Sequence, residues 1–160
     1  MLNISAMRKQ SVAERWLALI VETYPDQARQ FLVNERDPFR NPVGQALREN
    51  IFLLADELLG EMDADKVKQA LRDVVRIRAV QDSSPKEAIA FVFLLKNILR
   101  DELTDEPEVH LEMEKRIDDM ALIAFDFFVQ CRQRIYAALV SETRRRVAVL
   151  EKIRAVDEGR

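Results

Sequence analysis

The chain holds one histidine, His110, and one cysteine, Cys131, and these two residues limit the chemistry open to it. Haem ligation, zinc binding and imidazole base catalysis would each have to use His110, because there is no second imidazole. One histidine and one cysteine are too few for a zinc set of Cys and His ligands, and the acidic residues fall mostly at expected helix starts and on polar faces. Flanked by Val109, Leu111 and Glu112, His110 reads as a solvent-facing residue on the first turns of a helix. Cys131 lies in the apolar run FDFFVQC, where it reads as a small buried hydrophobe. Ser11, Ser83 and Ser84 stand where helix caps are expected, and no base is placed beside them by motif. Gly44, Gly60 and Gly159 are too scattered to cradle a phosphate. No catalytic residue, cofactor or metal ligand is expected.

Two charged groups stand out against this background. Asp126 sits in the middle of ALIAFDFFV, where a carboxylate calls for a partner. Arg48, Arg76 and Arg78 are the candidates, each on a helix with a strong apolar face, and the pair reads as a structural bridge or as a switch. The run Arg144, Arg145, Arg146 spreads around most of a helical turn beside Glu142 and Glu151, and reads as a solvated collar.

The elements that must position these groups are helices. Ser11 to Glu14 has the form of a capping box, so a first helix is expected to start at Ser11, bury Trp16, Leu17, Leu19, Ile20 and Tyr24, and stop at Pro25. A short second helix follows Asp26 with Ala28, Phe31 and Leu32 inward. NERDPFRNPVG reads as a loop ending in a helix start, with Asn41 as cap and Pro42 at the first helical position. The third helix carries Ala46, Leu47, Ile51, Leu54, Leu58 and Leu59 and stops at Gly60. Asp63 caps a fourth, with Val67, Ala70, Leu71, Val74, Ile77 and Val80 inward. Ser84, Pro85 and Glu87 open a fifth, AIAFVFLLKNIL, apolar almost all round and therefore central. Thr104 or Asp105 opens the last. From Pro107 to Val156 nothing breaks it, and as a helix it would extend about 75 Å, so part of it must project or bend. Its seam Met113, Ile117, Met120, Ala124, Phe127, Cys131 loses phase before a second, Tyr136, Val140, Thr143, Val147, Leu150, which predicts a kink or a change of packing partner near Gln133.

Composition agrees with one helical domain. The 160 residues are 48% hydrophobic and 33% charged, with three glycines and five prolines, too few breakers for a sheet of many short strands. A net charge of -3 gives no positive field to hold nucleic acid or an anionic membrane. No signal-like or membrane-spanning apolar run is present, so the expected location is the cytoplasm.

FRNPVGQALRE (39–49), VVRIRAVQDSSPKEAIAFVFLLK (74–96) and IDDMALIAFDFFVQCRQRIYAALVSETRRR (117–146), in that order and spacing, resemble the N-terminal sensory domain of the RsbT co-antagonist (RsbRD) family, as does LALIVETYPDQARQFL. The resemblance implies an all-α, globin-like bundle of about six helices with a long C-terminal helix and no haem. Residues 1–134 would be the sensory domain and 135–160 an extension of the last helix, of the kind that leads to a STAS domain in such proteins; no STAS-like pattern occurs in this sequence. It also implies a homodimer and a non-enzymatic role in stress or signal-response regulation, through dimer and partner interactions. The alternative is a structural adaptor or accessory interaction subunit with no ligand. Independently, residues 43–80 hold no histidine to bind iron.

Surplus apolar surface on the last two helices gives the dimer a physical motive. Met120, Phe127, Phe128, Cys131 and Tyr136 are the expected interface. The expected partners are a second copy and a signalling protein, with a small apolar ligand as a further option, for which Phe52, Leu54, Phe91 and Phe93 could line a pocket. Neither nucleic acid nor membrane insertion is expected.

Overall fold

A computed structural model describes residues 4–81, 83–103 and 106–159. Among these residues there are six helices and no strand: α1 (Ala6–Glu22), α2 (Asp26–Asn34), α3 (Pro42–Leu58), α4 (Ala64–Val80), α5 (Pro85–Glu102) and α6 (Pro107–Glu158). The chain groups into two compact units, Met1–Phe128 and Val129–Arg160.

In the first unit α3 and α4 pack directly on each other, and α1 lies between α3 and α5. Trp16 anchors the centre. Its indole is fully buried, stacks on the Phe91 ring with centroids 6.0 Å apart, and donates from Nε1 to the Phe91 carbonyl at 2.7 Å. That hydrogen bond satisfies the one polar atom of a large buried side chain while fixing α1 against α5. Ile20, Ile51, Leu54, Leu71, Leu95, Met113 and Ile117 complete the core around it.

Local capping explains most boundaries. Asn41 Oδ1 accepts from the Gly44 N–H at 2.9 Å, with Pro42 in the first turn of α3. Asp63 accepts from the Asp65 and Lys66 amides, and Ser84 and Glu87 form a reciprocal capping box. Glu57, buried near the end of α3, accepts from the Asp63 N–H at 2.9 Å and from Lys66 Nζ at 3.0 Å, which ties α3 to α4. Thr104 and Asp105, the expected caps of α6, lie outside the described residues.

Several expectations are corrected. α1 starts five residues before Ser11: Ser5 is its cap, accepting from the Arg8 N–H, and Ser11 is mid-helix with its hydroxyl 3.4 Å from Glu102. Val12 and Ala13 are buried, so core contacts carry the helix through the local box. At the end of α3 Leu59 is the C-cap and Gly60 follows it, where the sequence stops the helix; the left-handed residue there is Met62, with φ of 59°. On α4 the buried stripe includes Val75, Arg78 and Ala79, while Val80 is exposed.

The second unit is a stretch of helix alone. Val129, Cys131, Arg132 and Ile135 are half-buried, and every described residue from Tyr136 onward is exposed. α6 is unbroken through Gln133; what changes in this region is burial, which ends with Phe128 apart from those half-covered positions.

Candidate functional site

Arg78 and Glu57 are the buried charged residues among those described in the first unit, and Arg78 is the cation. It lies in the last turn of α4, eleven residues after Val67 and on the same stripe, so the helix carries it into the core. The residue is 5% exposed. Its Nη2 donates to Thr23 Oγ1 at 3.3 Å and to the Glu87 carbonyl at 3.0 Å. The guanidinium carbon stands 5.5 Å from the Tyr24 ring centroid and 5.8 Å from that of Phe91, so two aromatic faces offset part of its charge. Nε and Nη1 are buried without a partner, and so is the Tyr24 hydroxyl. Each unmet buried donor costs about 1–3 kcal/mol.

These groups border a cleft of about 540 Å³. Thr23, Tyr24, Pro25 and Ala28 form its wall at the α1–α2 corner; Arg78, Gln81, Ser83, Glu87 and Ala90 form the α4–α5 side. The Glu87 carboxylate is committed elsewhere. Its Oε2 accepts from the Ser84 N–H and hydroxyl, both at 2.9 Å. The Ser84 backbone bond foremost, then its hydroxyl, hold the Glu87 pKa below the usual carboxylate value, with a further contribution from the Arg78 charge.

A second cleft of about 560 Å³ lies between α1, α2 and α3, with Leu17, Val21, Leu32 and Leu47 as its apolar lining and Arg48 at its edge. Arg48 also sits over the Phe52 ring at 5.8 Å. Arg76 is exposed and lies 3.7 Å from Asp73. The three candidate arginines therefore occupy three different environments.

Asp126 is exposed, which corrects the expected burial. α6 buries Met113, Ile117, Met120, Ala121, Ala124, Phe127 and Phe128. At 100° per residue Asp126 points to the opposite side from Ala124. The run ALIAFDFFV is apolar around it because Leu122 and Phe125 belong to an exposed stripe and Ala124, Phe127 and Phe128 to the core. The expected interface divides in the same way. Met120, Phe127 and Phe128 are covered by the chain's own helices, with Arg72 over the Phe127 ring, whereas Tyr136 is 63% exposed and Cys131 is half-buried. The buried-hydrophobe reading of Cys131 is corrected accordingly.

His110 is half-buried rather than solvent-facing: its Nε2 lies 3.6 Å from Glu114 and its Nδ1 is buried without a partner. Leu54 and Phe91 are core, while Phe93 is exposed with Lys96 over its ring, so Phe52, Leu54, Phe91 and Phe93 do not share one pocket face. Among the described residues no group of three or more His, Cys, Asp or Glu is arranged to hold a metal. No helix is long and apolar enough to cross a membrane among them.

With this geometry in hand, the comparisons are specific. The family model of the RsbT co-antagonist protein rsbRD N-terminal domain matches residues 10–143. The chain belongs to this family. An uncharacterized protein of Archaeoglobus fulgidus is similar as well, 22% identical over 150 residues that cover 92% of each chain. No solved structure matches. RsbRD N-terminal domains are regulatory sensory domains with a non-haem globin-like fold, and the six-helix, all-α structure fits that class. The family match runs past Phe128 and so includes the beginning of the second unit.

Sequence reasoning named Arg78 only as a partner for Asp126. The stronger signal is its register, a charge eleven residues after Val67 on the same stripe. Tyr24 was read as plain core. Its hydroxyl's lack of a partner depends on how the α1–α2 corner meets α4, which no local pattern encodes.

Proposed function

We propose that this RsbRD N-terminal domain is a non-catalytic sensory and regulatory module acting in stress or signal-response regulation, through a homodimer and a signalling-protein partner in the cytoplasm. In this reading residues 1–134 are the sensory body and 135–160 the linker-like extension. The observation that carries it is the exposed apolar stripe on α6. Tyr136, Leu139, Val140, Val147 and Leu150 are about half or more exposed and recur at helical spacing on one side. Among the described residues nothing covers them, and a second copy offers the same stripe, as a two-fold interface requires.

Native mass spectrometry of protein purified from its own cells tests the reading. A dimer mass that retains a signalling protein supports it. A dimer that retains a structural complex instead would favour the accessory-subunit alternative. Protein that stays monomeric at micromolar concentration would remove the dimer on which the regulatory reading depends.

A further inference from the structure

The cleft beside Arg78 has the composition of a small-anion site. A guanidinium that is 5% exposed keeps two buried N–H groups, Nε and Nη1, without an acceptor, and the hydroxyl of Tyr24, a residue of the α1–α2 side, is equally unmet. Buried donors left in this state are rare in folded proteins, and rarer where the group is charged. The lining carboxylate, Glu87, is engaged by Ser84 and meets Arg78 only through its backbone carbonyl. Among the described lining residues, no carboxylate hydrogen-bonds the Arg78 guanidinium.

The rest of the lining narrows the class. Pro25, Ala28 and Ala90 present apolar surface, and the volume of about 540 Å³ admits a compact organic molecule. One free cation suits one negative charge better than the two of a phosphate monoester. We propose that this cleft binds a small organic carboxylate, whose oxygens accept from Arg78 and the Tyr24 hydroxyl while its apolar part rests on Pro25, Ala28 and Ala90.

Such a ligand would join the end of α1, the last turn of α4 and the start of α5. Occupancy would therefore bias how these helices meet, which is the action a sensory domain needs. The proposal rests on the sensory reading only for this meaning, because binding to the isolated chain is measured separately from dimer mass and partner capture.

The test is an amide and arginine side-chain NMR titration of the full chain with sodium benzoate, its neutral isostere benzamide, and inorganic phosphate. Benzoate is expected to saturate in the millimolar range and to move the Arg78 Nε–H, Tyr24 and Ala90 resonances, with benzamide and phosphate at least tenfold weaker. Tyr24→Phe should weaken benzoate several-fold, and Arg78→Gln should abolish its binding. Ala90 is exposed on α5, so Ala90→Leu fills the cleft without entering the core and should block benzoate in a protein that keeps its fold. Equal shifts from benzamide, or undiminished binding by Ala90→Leu, would overturn the site. Asp82 stands four residues after Arg78 in the sequence. Benzoate binding that appears only in Asp82→Asn would assign the counter-charge to the protein itself and overturn the proposal equally.

Discussion

Asn41 shows how much one side chain holds in this fold. It is 3% exposed, and while its Oδ1 caps α3 its Nδ2 lies 3.4 Å from the carbonyls of Phe31 and Leu32 and 3.0 Å from that of Glu35. One amide thus serves the donors that start α3 and the acceptors that end α2, both of which a helix terminus leaves unmet. Gly44 permits this arrangement, because a Cβ there would collide with the Asn41 amide itself. Asn41→Ala is expected to cost roughly 2–3 kcal/mol, a lost cap plus buried carbonyls left without a donor. Gly44→Ala should lose a similar amount by displacing the same amide. The double variant should then be no worse than about the larger single loss, since both remove one interaction. Urea denaturation of the three variants checks this, and fully additive losses would mean that Gly44 and Asn41 act independently.

Among the elements, those defined by local chemistry were legible. Asn41 and Pro42, Asp63, and Ser84 with Pro85 and Glu87 each open a helix where the sequence places them, because a cap and the backbone donors it serves lie within four residues. Legibility failed where two signals competed or overlapped. Ser5 and Ser11 both suit a cap, and the choice went to Ser5 because Val12, Ala13 and Trp16 need to be helical to reach the core. Around Asp126, two apolar stripes on one helix merge into a single run in the sequence, and only the fold separates the buried stripe from the exposed one. The capping box of α5 gives an element-scale prediction. Because Ser84 depresses the Glu87 pKa, the charged form is favoured in the folded state, and its stabilising contribution is present above the unfolded value of about 4.3. It is lost as pH falls through the lower folded value. Protection factors at the start of α5, taken relative to the intrinsic exchange rate at each pH, should therefore fall on acidification below about pH 4, and Glu87→Gln should remove that pH dependence while leaving the Ser84 cap in place. A Glu87 titration midpoint at or above the ordinary glutamate value would contradict it.

At the scale of the whole molecule, the second unit poses a thermodynamic question that the proposed dimer would answer. An isolated helix in water is marginal even when its sequence favours it, because tertiary packing of an apolar face supplies most helical stability. Among the described residues, those from Tyr136 onward have no such packing, although Tyr136, Leu139, Val140, Val147, Leu150 and Ile153 are all exposed and apolar. In the proposed dimer, pairing this stripe with its copy would supply the missing contact, and a stable interface of this kind buries on the order of 1,200 Å² or more in total. Placing the interface here, and not at Phe127 and Phe128, changes what a charge should do. Phe127 and Phe128 are core residues of the first unit, so Phe128→Glu is expected to unfold that unit. Val140→Glu and Leu150→Glu leave the core untouched. They should yield a folded monomer with at least 100-fold weaker association and reduced helical circular dichroism, since the separated extension frays. Arg145→Ala, an exposed change in the arginine collar, should leave the dimer intact. Sedimentation equilibrium on the four variants separates these outcomes, and a dimer that survives both Val140→Glu and Leu150→Glu would place the interface elsewhere on the molecule.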